Sequence, residues 1–195
     1  MSEFEEGYLK FTFTDAKWPA VRKYDDRSNT VYQEMRKHLQ WEKRGTKAVD
    51  FVIGNAKECW FIEVKDFRGH PIENKKRMSG KGELPLETEV ALKVCDSLAG
   101  VIGARRNPSM SEEWEGIVSP LIDPKKTVKV VLWLEYDDTR VTKDWDAQAN
   151  VIQSSLKKKL GWLTSKVMVV NRKNMRPDFG IIVENLPHGG ESARR

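Results

Sequence analysis

The 195-residue chain has only two cysteines, Cys59 and Cys95. That is too few for a disulfide framework, and neither lies in a CxxC pattern that would build a zinc or redox site. No uninterrupted apolar run approaches the roughly 18 residues that a membrane-spanning helix needs. The opening residues, Met1-Ser2-Glu3-Phe4-Glu5-Glu6, are acidic where a secretory signal would be basic and then apolar. These absences speak against membrane and secreted classes and lead to an expected cytoplasmic location with no membrane partner. Histidine is scarce too: His38, His70 and His188 share no metal-site spacing and read as surface or loop residues. A phosphate-binding loop is also missing, since Gly80-Lys81-Gly82 lacks both the preceding spacing and the following Ser or Thr.

What the chain does have is charge and one core's worth of apolar residues, 32% and 39% of the sequence. Its length suits a single domain, expected over residues 1–187, with a loose tail at 188–195 that holds no apolar anchor. The formal net charge is +5, and much of it is local. Between residues 65 and 82 there are six cations, Lys65, Arg68, Lys75, Lys76, Arg77 and Lys81, against Asp66 and Glu73. A basic segment of this kind is either a solvated loop or a contact for a polyanion.

Periodicity places the elements. Alternation over 8–13 predicts a half-buried strand, followed by an irregular stretch at Trp18-Pro19. Thr30 with Gln33 makes a capping-box pattern, and Val31, Met35 and Leu39 recur at helical spacing up to Gly45, so a helix is expected over 28–44. Strands at 47–53 and 58–66 flank Gly54-Asn55, which is turn chemistry for a tight hairpin. Pro85 opens a long helix over 86–105 with Val90, Val94, Leu98 and Ile102 four apart, and Asn107-Pro108 ends it. A central strand at 128–136, an amphipathic helix over 144–160 and strands at 166–170 and 179–184 complete the set. The order strand, helix, strand, strand, helix, strand, helix, strand, strand predicts an α/β domain: a mixed β-sheet flanked by helices. Trp60, Trp133 and Trp145 are assigned to the core; Trp18, Trp41 and Trp114 are expected at the surface, where a ring could stack on a base. Lys157-Lys158-Lys159 sit at a helix C-terminus, where they complement the dipole.

The hairpin carries the chemistry. Strand side chains alternate faces, so Glu63 and Lys65 share one face while Trp60, Ile62 and Val64 share the other. A two-residue turn would set Asp50 opposite Phe61, on the same face as Glu63 and diagonal to it; any loop of even length keeps that parity, and an odd one destroys it. Two carboxylates and an ammonium would then converge on a sheet otherwise rich in apolar side chains. Such carboxylates repel unless a cation sits between them, and an oxygen-rich set suits Mg²⁺ or Mn²⁺. A metal beside a lysine is equipped for phosphodiester hydrolysis.

Asp50, twelve intervening residues and then Glu63-Val64-Lys65 resemble the signature of the PD-(D/E)xK nuclease superfamily. The arrangement is similar as well: a helix, the motif on a hairpin, a second helix and a further strand, over about residues 28–136. This resemblance implies a restriction endonuclease-like αβββαβ core and a metal-dependent nuclease acting on DNA in defence, restriction or repair. It implies Asp50 and Glu63 as metal ligands, the Val64 carbonyl as a further ligand, and Lys65 acting on the attacking water. Glu34 matches an accessory acidic position of the family, although an acid there also suits an ion pair with Lys37 or His38. Lys93 on the following helix is placed where it could face the site. Arg68, Lys75, Lys76, Arg77 and Lys81 would bind phosphates. Many nucleases with this core are homodimers, which adds a second copy as an expected partner. The chain departs from the family name in having Val49 where proline stands, and the helix over 86–105 lacks the glutamine and tyrosine of the RecB-type branch. The rival readings keep the fold without catalysis, as a nucleic-acid or protein binding module, or take Glu63 and Lys65 as an exposed ion pair in an unrelated α/β ligand-binding domain.

Overall fold

A computed structural model describes residues 1–26, 30–38, 45–68, 84–136 and 142–187 of the chain. Two short strands, β1 (Ser2–Glu6) and β2 (Leu9–Phe13), form a hairpin, and β3 (Ala20–Lys23) follows. Gly7, with a φ of 58°, opens the two-residue turn between β1 and β2, a conformation that side chains resist. After helix α1 (Thr30–His38) come β4 (Phe51–Gly54) and β5 (Glu58–Asp66). Helices α2 (Leu86–Arg106) and α3 (Ser111–Ile122) lead to β6 (Thr127–Glu135), then α4 (Thr142–Leu160), β7 (Val167–Val170) and β8 (Ile181–Asn185).

The strands make two sheets. Five of them lie in the order β3-β4-β5-β6-β7, with β3, β4 and β5 antiparallel and β5, β6 and β7 parallel. The other three form an antiparallel sheet in the order β1-β2-β8. Alternation along the five-stranded sheet separates two cores. Val52, Phe61, Val130 and Leu132 face the helices and pack with Val94, Ile117 and Leu156. Phe51, Ile53, Trp60, Ile62, Val131 and Trp133 face the small sheet and pack with Leu9, Phe11, Phe13 and Ile181. The result is three layers: helices, large sheet, small sheet. Burial on both faces explains why β6 reads as an almost continuous apolar run.

The α/β class and the mixed sheet expected from sequence are present, and the single sheet is corrected to two. Strands β1 and β3 are additions; both are short, and the SEFEE of β1 offers few apolar residues. Helix α3 is also an addition, because Gly116 and Pro120 lie within it and Asn107-Pro108 precedes it. The third antiparallel strand of the large sheet, β3, enters before α1 rather than after it. Segment 47–49, expected as strand, is instead tied to α2: the Lys47 and Val49 amides donate to Asp96 Oδ2 and Ser97 Oγ, each at 3.0 Å. Helix 28–44 is described only as Thr30–His38, and the tail at 188–195 lies outside the described residues.

Two tryptophans expected at the surface are buried. Trp18 lies edge-on to Trp60 with centroids 4.8 Å apart and donates its Nε1 to the Phe179 carbonyl, while Trp114 packs against Tyr24. Trp41 lies outside the described residues. Among the described residues no helix is long and apolar enough to cross a membrane.

The helix layer meets the large sheet backbone to backbone at Gly54. A Cβ there would stand 2.3 Å from the Gly116 carbonyl oxygen and 2.9 Å from Ile117 Cα, both backbone atoms of α3. Gly54→Ala is therefore expected to destabilise the fold by about 1–3 kcal/mol, the usual cost of overpacking. Urea unfolding measures it, and an unchanged midpoint would contradict this packing.

Candidate functional site

The β4–β5 register runs Phe51↔Ile62, Val52↔Phe61, Ile53↔Trp60 and Gly54↔Cys59. The connecting loop thus has four residues rather than two, organised by Asn55 Oδ1, which accepts from the Lys57 and Glu58 amides. Even length preserves parity. Continuing the register by one pair sets Asp50 across from Glu63 itself, on the face turned toward the helices.

Asp50 lies just before β4 and is 3% exposed. Its carbonyl accepts from the Tyr24 amide at 2.7 Å, and its Oδ2 accepts from the Val64 amide. The acid is therefore held from both neighbouring strands, while Val49 anchors the preceding chain to α2. Glu63 is 1% exposed. Its Oε1 lies 2.8 Å from Lys65 Nζ and 2.7 Å from Lys93 Nζ, and Lys65 also reaches Glu89 at 3.2 Å. The two ammonium groups lie against Oε1, while Oε2 is buried and no donor among the described residues reaches it. Lys93 projects from α2 one turn after Glu89, so one helix face delivers an acid and a base to the strand.

The structure adds two acids. One carboxylate oxygen each from Glu6, Asp25 and Asp50 lies within 4.8 Å of the others. Glu6 ends β1, and Asp25 follows Tyr24, whose amide is bonded to Asp50. Asp25 Oδ1 is buried with no donor among the described residues, and Lys23 lies 3.0 Å from Glu6 Oε2. Neither acid has a motif spacing to Asp50; they arrive through β1 and β3, the strands that sequence patterning did not resolve.

Glu34 is not brought to this cluster. It is exposed on α1 and pairs with His38 at 3.2 Å and Lys37 at 3.8 Å, the non-catalytic arrangement open to it from sequence. Val64 turns its side chain to the small-sheet core and its amide to Asp50. Arg68 is folded back on Asp66, with Nε 2.7 Å from Oδ1, and its Nη1 donates to Asn185 Oδ1. Lys75, Lys76, Arg77 and Lys81, together with His70 and His188, lie outside the described residues.

Electrostatics follow from burial. Desolvation raises the Asp50 pKa well above the usual carboxylate range; the Glu63 charge adds to this and Lys93 opposes it. Desolvation and then Glu6 raise Asp25. Burial alone would lower the Lys65 pKa, but Glu63 and then Glu89 outweigh it, so the lysine is held firmly protonated. The donor set, carboxylate oxygens with orphaned buried oxygen at Asp25 and Glu63, fits a hard divalent cation such as Mg²⁺ or Mn²⁺. No protein-family model matches the chain, nor does any curated protein or solved structure.

The raised Asp50 pKa has a definite linkage. In metal-free protein the folded state binds this proton more tightly than the unfolded chain, so its contribution to stability is full below the unfolded value of about 3.9 and is lost as pH rises through the folded value. Asp50→Asn removes the titration. In chelator, denaturation at stepped pH is expected to show wild type losing stability relative to Asp50→Asn as pH rises above about 4. Parallel pH profiles would contradict the assigned environment.

Proposed function

We propose that the chain is a metal-dependent nuclease that hydrolyses phosphodiester bonds, with DNA as its substrate. One observation carries this reading: Asp50 and Glu63 stand side by side, buried, with Lys65 and Lys93 against the glutamate and orphaned carboxylate oxygen beside them. Burying that much negative charge is costly, and structural ion pairing alone does not explain oxygens left without donors. The succession of α1, the β4–β5 hairpin, α2 and β6 resembles a restriction endonuclease-like core whose third antiparallel strand, β3, comes from before α1, and Lys75, Lys76, Arg77 and Lys81 give a polyanion a reason to approach.

Asp50 and Glu63 would hold Mg²⁺ or Mn²⁺, which lowers the pKa of a bound water and offsets charge growing on the phosphate. The Val64 amide fixes the Asp50 carboxylate, and the Val49 to Ser97 bond fixes the backbone before it. Lys65, kept protonated by Glu63 and Glu89, is a donor and a positive charge rather than a base. It orients the water and stabilises the pentavalent phosphorane.

Supercoiled plasmid, incubated with Mg²⁺, Mn²⁺ or chelator, tests the reading. Metal-dependent nicking or linearisation is expected, with Asp50→Ala and Lys65→Ala each slowing it by about 100-fold or more. Near-full cleavage by folded Asp50→Ala would sink the assignment.

A further inference from the structure

The acids around Asp50 outnumber the bases around it, and their sources are unexpected. Among the described residues Glu6, Asp25, Asp50 and Glu63 face Lys23, Lys65 and Lys93, and Lys65 is shared with Glu89, so with every group ionised these bases do not match these acids. Lys65 is occupied between Glu63 and Glu89, and Lys23 lies on the Glu6 side. Among the described residues no N–H or hydroxyl donor reaches the buried Asp25 Oδ1 or Glu63 Oε2, and the polar side-chain neighbour of Asp25 is the Asp50 carboxyl itself. Glu63 is almost wholly excluded from solvent and is set by the strand register across from Asp50, whose carboxyl feels its charge, so a carboxylate with an unpartnered oxygen adjoins the Asp50 corner of the triad. A divalent cation would offset the excess negative charge and supply the missing partner.

We infer that Glu6 and Asp25 are cation ligands together with Asp50, so that the small sheet, through the last residue of β1, contributes a ligand to the metal centre of the large one. The inference rests on the nuclease reading for the role of the cation and extends it to residues outside the D…ExK pattern. Its chemistry requires a small hard ion that takes oxygen donors, Mg²⁺ or Mn²⁺. The geometry also gives the β1–β2 hairpin a purpose beyond covering apolar surface. Phe4 packs on Phe13 and Phe51, and Gly7 makes the turn immediately after Glu6, so the acid's backbone is fixed on both sides. A cation bound there would join β1 to the segments before β4 and after β3.

Calorimetric titration of the full chain with Mn²⁺ tests this directly. Wild type is expected to show saturable uptake. Glu6→Gln and Asp25→Asn should each weaken it about tenfold or more, whereas Glu3→Gln, on the same strand but paired with Lys10, should leave it unchanged. Thermal unfolding with and without Mn²⁺ gives a second readout: the metal-induced rise in midpoint should shrink in Glu6→Gln and Asp25→Asn and persist in Glu3→Gln. Wild-type uptake retained by both folded variants, but lost in Asp50→Asn, would overturn the inference and leave the nuclease reading standing. No uptake by wild type would overturn the inference as well, and plasmid cleavage in chelator against Mg²⁺ would then judge the nuclease reading separately.

Discussion

The costliest feature of this molecule is the burial of Asp50 and Glu63 side by side at one end of the central sheet. Removing one carboxylate from water is unfavourable, and two in contact repel as well. Much of the surrounding structure bears on this pair. Lys93 and Lys65 lie against Glu63, Glu89 holds Lys65, the Val64 amide binds Asp50, and the chain before Asp50 is tied to α2 by Ser97. A fold selected for stability alone would place apolar residues at such positions, because replacing buried ion pairs by well-packed apolar groups is often neutral or favourable. Retained charge that is only partly compensated is what marks this cluster as the candidate site.

The three-layer arrangement makes the site possible. Apolar side chains from the small sheet seal one face of the hairpin, so the alternating residues Trp60, Ile62 and Val64 are core while Cys59, Phe61, Glu63 and Lys65 turn toward the helices. Phe61 and Cys59 continue into the helix-side core, and the polar pair lies beyond them toward the end of the strand. The candidate site thus occupies the carboxyl-terminal side of β5, where parallel pairing with β6 holds the strand on one edge and antiparallel pairing with β4 on the other.

The hairpin was legible because period-two alternation is strong there and survives an error in loop length. The loop is two residues longer than Gly54-Asn55 suggests, yet Asp50 keeps its face and moves closer to Glu63. The long helices were legible from apolar spacing over several turns. What was not legible came from short elements with little pattern: the SEFEE of β1, the four residues of β3, and α3 with its internal proline. Trp114 was misplaced for the same reason, since it lies on α3 and packs on Tyr24 just after β3, whereas Trp18 is buried by Trp60 of β5 and by Phe179, a contact across 161 residues that no local pattern announces. Asp25 and Glu6 stand 25 and 44 residues before Asp50. Only tertiary contact relates them to it, and no spacing rule would have selected them. Glu34 shows the converse: position on a helix border is compatible with catalysis, but among the described residues its partners, His38 and Lys37, belong to its own helix.

Anomalous scattering from a crystal of the chain soaked in Mn²⁺ would test the central claim most directly. The account predicts a peak among the acids at the end of β5, with oxygens of Asp50 and Glu63 at coordination distance, about 2.1–2.3 Å, and Lys93 displaced from the Glu63 oxygen it contacts without metal. A crystal with Mn²⁺ only at exposed surface acids, and with the Asp50 and Glu63 cluster unchanged, would contradict it.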